Sequence, residues 1–345
     1  MADRRIYIDR SPRETRGVIT VSGKPERLLI EREGQGYPRL GVRAHARVIL
    51  VDRTLGLAML DMGDGTQASL RLKADRPPPV QGQALDVEIA IEPQGGKPAV
   101  ARSFADDGGE APLAPASLEA RLAALAPGAA VTEGAKARAV VDEAEDEALA
   151  IEHSLPGGGS MAIESTRALV AVDIDLGSGG GRDAKRAARQ TNMTALTELG
   201  RLLRLKALGG LVVVDLVGRG HDGPALARAA QGAFAADQPG VVLGPVTRFG
   251  TLELALPRRH RPVREILCGP DGRPTVQTLS LRLVRAIERQ AAANPGARLL
   301  AICAPEVAAA AAAGAATALA GIIGARFEIV GDPAYSADRW EIAAR

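Results

Sequence analysis

Asp173 and Asp215 close two apolar runs, ALVAVDID (168–175) and GGLVVVD (209–215). A strand that is apolar throughout is expected to be buried on both faces. An aspartate at its end then emerges where the sheet stops, facing solvent or substrate. Between the runs lie a glycine-rich loop, GSGGGR (177–182), and a basic segment long enough for a helix. This strand–loop–helix–strand unit would bring both carboxylates to one rim of a sheet, where a pair suits a hard divalent cation such as Mg²⁺. A single strand-end aspartate would more often cap the next turn; two in this order point to a site. The glycines do not form a phosphate loop, because no GKS or GKT follows them. His153, His221 and His260 lack the spacing of metal ligands.

The elements that must position the pair can be read from periodicity and turn signals. RRIYIDRSPRETRGVITVSGKPERLLIER reads as short alternating strands with turns at 11–13 and 22–25. From about Gly41 to Phe104, five more short strands fit a small closed barrel of the OB type, although an SH3-like barrel would read almost identically. Residues 105–135 are Ala/Pro/Gly-rich and read as a linker with one short helix, Ser117 to Leu125, N-capped by Ser117. A β or α segment and a Pro156–Gly157 turn lead to the first aspartate run. The helix of the core unit should span about Ala184 to Ala207, with Leu196, Leu199 and Leu203 on one face. Further on, the pattern predicts a strand at 240–244, a helix over 276–293, a strand over 298–303, a helix over 305–320 and a strand over 326–330.

Charge is distributed unevenly although the net is only +2. Residues 103–153 hold eleven acids against three bases, whereas 182–206 hold seven bases against two acids, and PRRHRPVR (257–264) adds four arginines. A basic face beside two candidate metal ligands points to a polyanionic partner, with solvated helix faces as the plainer alternative. Cys268 and Cys303 are too few for a disulfide framework, so a reduced, cytoplasmic protein is expected. MADRRIYIDR does not resemble a secretory signal. The uncharged run Val307 to Ala325 is nineteen residues long, near the length of a membrane span, but it is mostly alanine and is followed by strand-like RFEIV. A buried helix in an α/β layer explains it better than a membrane anchor, and no membrane partner is expected.

The order LPGGGSMAIESTRALVAVDID, QTNMTALTELGRLLRLKALGGLVVVDLVG, TRFGTLELALPRRHRP resembles the catalytic half of the ribonuclease E/G family. RRIYIDRSPRETRGVIT and RLLIEREG are similar to the family's N-terminal strands, and VQTLSLRLVRAIERQ through YSADRWEIA to its small domain. The resemblance implies a multidomain α/β protein whose RNase H-like/deoxyribonuclease-I-like α+β catalytic core carries an inserted OB-type barrel and a small C-terminal α/β domain. The implied division is N-terminal core strands (1–38), RNA-binding barrel (39–104), an acidic Ala/Pro linker in place of the family's 5′-phosphate sensor (105–150), catalytic core (151–265) and a small α/β domain (274–345). It also implies a Mg²⁺-dependent endoribonuclease that cuts single-stranded RNA to leave 5′-phosphate and 3′-hydroxyl ends. Asp173 and Asp215 would be the metal-binding carboxylates, and Asp175 stands where the family has an asparagine beside the metal. Lys97, Arg182, Arg248, Arg258, Arg259 and Arg261 would contact RNA. Three further departures weaken a simple transfer of activity. Two of them, the reduced sensor and the missing phenylalanines, together with Asp175 favour an alternative, a relative that binds RNA but cleaves it weakly or not at all. The sensor segment is reduced. The family's CxxC zinc link is Cys268-Gly-Pro-Asp271 here, which leaves open a homodimer without that link. Met59 and Ser69 stand where the family stacks bases on phenylalanine.

Overall fold

The computed structural model describes residues 3–34, 36, 38–63, 65–104, 115–177 and 184–344. Strands β1 (Arg4–Ser11), β2 (Glu14–Val21) and β3 (Lys24–Arg32) form an antiparallel meander. Next come β4 (Arg43–Asp52), β5 (Leu57–Asp61), β6 (Gln67–Arg71), β7 (Ala84–Ile91) and β8 (Ala99–Ser103). They close into a barrel in the order β4-β5-β6-β8-β7, with β6 and β8 parallel. That is a five-stranded Greek-key barrel of OB-like kind. Its interior holds Ala46, Val48, Ala58, Leu60, Val87 and Ile89, supplied by alternate positions of the strands.

Helix α1 (Leu118–Leu125) follows, and the Ser117 hydroxyl accepts the Ala120 amide at its start, as an N-cap should. The linker expected over 105–150 ends well before 150. Strand β9 (Ala130–Glu133) pairs in parallel with β1, and α2 (Ala135–Leu149) buries Ala137, Val141, Ala144 and Ala148 in the main core. Those residues recur at helical spacing. The acids between them masked the pattern, and they turn out to be partners of arginines from distant segments.

The central sheet comprises β10 (Glu152–Ser154), β11 (Ser160–Ser165), β12 (Val170–Asp175), β13 (Gly210–Asp215), β14 (Val242–Val246) and β15 (Thr251–Leu256). Its order is β10-β11-β12-β13-β15-β14, and only β12 and β13 are parallel. They are joined by α3 (Ala184–Lys206), as expected for a crossover. Leu196, Leu199, Leu202 and Leu203 of α3 pack on one face of the sheet, against Val172, Ile174, Val212 and Val214. Helix α4 (Gly223–Ala233) lies beside α3.

Burial on both faces, expected from the apolar runs, does not occur. On the outer face Ala171 and Val213 are half-buried, and Asp173, Asp175, Leu211 and Asp215 are exposed. Among the described residues helices cover one side only, and the other is an open floor that mixes small and apolar side chains with the carboxylates of Glu164, Asp173, Asp175, Asp215 and Glu253. A one-sided floor in a mixed sheet is how a binding surface can coexist with a packed core.

Helices α5 (Val263–Leu267) and α6 (Val276–Ala293) lead to β16 (Leu299–Cys303), α7 (Pro305–Ala310), α8 (Ala316–Ile323), β17 (Phe327–Gly331) and β18 (Trp340–Ala344). The last three strands form the sheet β17-β16-β18. A π turn, Ala311–Ala315, joins α7 to α8, and the whole length Pro305–Ile323 is apolar enough to cross a membrane by length and composition. Here Val307, Ala311, Ala315 and Leu319 pack onto the small domain's core and most of the rest of the helix is not buried. The buried helix expected over this stretch is thus a surface helix with one packed stripe, whose outward side is mainly alanine.

Candidate functional site

Asp173 and Asp215 are register partners across the parallel pair β12–β13. Directly opposite residues of parallel strands project to the same face, and neighbouring strands lie roughly 4.8 Å apart. Both side chains are exposed on the open floor. Two anionic oxygen donors in this relation can share one small hard cation. Among the described residues no group of three or more His, Cys, Asp or Glu is placed to hold a metal, and the two carboxylates are the oxygen donors that the register brings together at this rim. That suits Mg²⁺, which keeps several waters and takes one or two carboxylates together with substrate phosphate oxygens.

Asp175 lies two residues further along the same face of β12, opposite Ser160. One of its carboxylate oxygens accepts the Gly177 amide at 2.8 Å, which closes a local turn. Gly159 makes the neighbouring approach possible: its φ is +84°, and a Cβ there would lie 2.4 Å from the Asp175 carbonyl oxygen. Glycine is therefore required where the 157–159 turn crosses the end of β12.

The chain leaving Asp215 is held from two sides. The buried Asn192 side chain on α3 donates to the Val217 carbonyl at 3.0 Å and accepts the Val217 amide at 3.1 Å. The Leu216 amide donates to the Gly250 carbonyl at 3.1 Å. Gly250 also permits contact with His221, whose Nε2 would lie 3.3 Å from an added Cβ. An open groove of about 840 Å³ runs past this corner, lined by Arg219, His221, Thr247, Arg248 and Phe249 among others.

The expected RNA contacts divide by place. Arg248 is exposed at this corner, with its guanidinium 4.7 Å from the Phe249 ring centroid. Arg258 and Arg259 are exposed at the opposite end of β13, where Arg258 packs over Gly210 and donates to the Gly209 carbonyl. Half-buried Arg261 donates to the Glu265 carbonyl, and its amide donates to Glu92 at 2.8 Å. Lys97 is exposed on the β7–β8 turn of the barrel. Arg182 lies outside the described residues. The barrel is docked through the same basic segment. Burial pushes the Glu92 carboxyl up, but bonding to His260 and to the Arg261 and Leu40 amides outweighs it and holds the group below the usual range.

The basic face expected along 182–206 is only partly available. Arg201 bonds Glu147, Glu198 and the Pro25 carbonyl; Arg204 bonds Glu26, Asp237 and the Ala233 carbonyl. Lys206 is buried and donates to the carbonyls of Glu147, Ala148 and Ala150 at the end of α2. Burial lowers its pKa to about 8. These three cations tie α3 to its neighbours; Lys185, Arg186 and Arg189 are exposed beside the groove, and Arg189 pairs with Asp222 at 2.9 Å. Arg219 and Phe249 are not singled out by the sequence, and His221 only as lacking metal-ligand spacing, though an Arg-Phe-Gly turn in a chain with only four phenylalanines is a usable signal. Met59 and Ser69 face each other across β5–β6, so the pair expected to have lost stacking is one cross-strand position. Cys268 is buried in the main core, and burial raises its thiol pKa.

Sheet, barrel and paired carboxylates define an α/β protein with an inserted OB-like barrel and a two-carboxylate rim. Residues 131–259 match the Ribonuclease E/G family. Ribonuclease E of Escherichia coli (strain K12) is 34% identical over 150 residues, 41% of this chain and 14% of that relative. Ribonuclease E of Buchnera aphidicola subsp. Acyrthosiphon pisum is 34% identical over 148 residues, 40% of this chain and 16% of the relative. Ribonuclease G of Salmonella typhimurium is 26% identical over 201 residues, 54% of this chain and 41% of the relative. The chain thus spans under half the length of these relatives, and the matched family segment contains both aspartates and their connecting helix.

Proposed function

We propose that this chain is a Mg²⁺-dependent endoribonuclease of ribonuclease E/G type, acting in the cytoplasm on single-stranded RNA to leave 5′-phosphate and 3′-hydroxyl ends. The observation that carries this is the in-register pair Asp173 and Asp215 on an open sheet face, inside the segment that matches the family. The parallel β12–β13 pair flanked by antiparallel strands supports reading the sheet as the family's RNase H/deoxyribonuclease-I-like core.

Asp173 and Asp215 would hold the cation. When bound, it would supply charge neutralisation at the scissile phosphate and an activated water. Asn192 and the Gly250 carbonyl fix the backbone beyond Asp215 and so limit the carboxylate's freedom. Arg248 at one end of β13, and Arg258 and Arg259 at the other, would neutralise successive phosphates of a strand lying along the floor. The test is a fluorescent A/U-rich single strand with and without Mg²⁺. Internal cleavage that depends on Mg²⁺ and leaves 3′-hydroxyl ends is expected; cleavage undiminished by chelation would remove this reading.

A second reading, an RNA-binding relative without efficient cleavage, is favoured by the Met59–Ser69 pair on the barrel face where stacking residues are expected. Binding without cleavage in the same assay would select it. Under either reading the grip rests largely on phosphates. The slope of log K against log salt should then fall by about 0.7 for each neutralised phosphate of a single strand, and binding that ignores salt between 50 and 300 mM would contradict a charge-based grip.

A further inference from the structure

Phe249 is 77% exposed, the highest exposure among the large apolar side chains described. Phe104 and Phe234, by contrast, are buried. The exposed ring sits at the tip of the β14–β15 turn and is held there. The Phe249 amide donates to the Thr247 hydroxyl at 3.3 Å, the Thr247 and Thr251 hydroxyls bond at 2.8 Å, and the Thr247 amide donates to the Thr251 carbonyl at 2.8 Å. Thr251 is the register partner of Asp215. Two residues of chain and one strand spacing therefore put the ring on the order of 10 Å from the Asp215 backbone, about the reach of one or two nucleotides.

The surroundings favour a nucleobase over a protein surface. A protein-binding patch would be contiguous and apolar. Here a single ring is flanked by Arg248, which lies over it, and shares its groove with Arg219 and His221. One aromatic face among cations on a rigid turn is what a single strand uses to stack a base while its phosphates are neutralised.

We propose that Phe249, backed by Arg248, is a stacking platform for a base of the single strand next to the Asp173–Asp215 pair, taking over part of the stacking missing from the barrel at Met59 and Ser69. This rests on the reading of the site as an RNA site and adds a position and a contact type to it. The platform accepts any base, since each has a π face, so it contributes affinity and register rather than sequence choice.

Binding is measured without divalent metal, so that cleavage does not enter, by titrating a labelled A/U-rich 12-mer against the full chain. Phe249→Ala should raise Kd about tenfold, within the range of about 1–3 kcal/mol for one stacked base, and Phe249→Tyr should stay within about threefold of the parent. The salt slope should be the same in all three, because stacking releases no counterions, whereas Arg248→Ala should flatten it. In a Phe249→Trp/Trp340→Phe chain the oligonucleotide should quench the indole fluorescence. Equal Kd for the parent and Phe249→Ala, or a salt slope that changes with Phe249→Ala, would overturn the platform while leaving the RNA site standing. No binding by the parent itself would overturn both together.

Discussion

Asp215→Asn should reduce Mg²⁺-dependent cleavage by about a thousandfold or more, and Asp173→Asn by a similar factor, while single-strand binding stays level or tightens slightly. The magnitude follows from the several kcal/mol that a bound divalent ion supplies to a developing phosphate charge, at about 1.4 kcal/mol per tenfold. Asparagine keeps the shape and one oxygen donor but removes the charge that attracts the cation. Neither residue is buried, so unfolding is not the expected cause of the loss. The two effects should also be non-additive: with one carboxylate gone a shared ion would be held only weakly, and at ordinary Mg²⁺ the double variant should lose little more than either single one. Raising Mg²⁺ or Mn²⁺ should restore part of the activity of a single variant. Near-parental cleavage by both variants would place the chemistry elsewhere on the molecule.

How far this site can be read from the sequence depends on how local its causes are. The apolar runs ending in Asp173 and Asp215, with one helix between them, determine a parallel pair, and the structure puts the two in register. Other elements were legible for the same reason: α6 occupies 276–293 as the Leu/Val/Ile periodicity predicts, and Ser117 caps α1. The open floor was not legible, because Val, Ala and Leu give one signal whether a face meets a helix or solvent. Helix α2 was legible only as one of two alternatives, β or α, because Asp142 and Glu145 look like linker acids until Arg16, Arg282, Arg285 and Arg289 arrive from other segments. Arg201, Arg204 and Lys206 failed as a basic face in the same way, since their partners lie on β3, α2 and the segment after α4. Charge in a window of sequence does not reveal which charges the fold consumes.

Arg16 is where that consumption is largest, and Arg16→Met should destabilise the chain by about 3–5 kcal/mol, the usual consequence of removing one partner from a buried ionic cluster. Its side chain is 1% exposed and its guanidinium bonds Glu145 at 2.8 Å, Asp9 at 2.6 Å and Asp142 at 2.9 Å. Glu14, equally buried, takes Arg32 at 2.6 Å and also pairs with Arg285. Arg138 on α2 reaches Asp9, and Arg282 on α6 reaches Glu145, so the cluster joins the β1–β3 meander, α2 and α6. Burial pushes the Asp9 and Glu145 carboxyls up, but the surrounding guanidinium groups outweigh it and hold both below their ordinary values. Carboxylates lowered in this way contribute stability that is fully present above their ordinary pKa values and is lost as pH falls through the lowered ones. In Arg16→Met the burial cost is no longer matched, the folded carboxyls take up protons more readily, and the deficit should shrink as pH falls from 7 toward 4. Arg289→Ala is the control. Its pair with Asp142 is largely exposed and should cost no more than about 1 kcal/mol. Urea midpoints of parent and both variants at several pH values make the comparison. A deficit for Arg16→Met below about 1 kcal/mol, or one that does not narrow in acid, would mean that the cluster does not hold the N-terminal strands, α2 and α6 together.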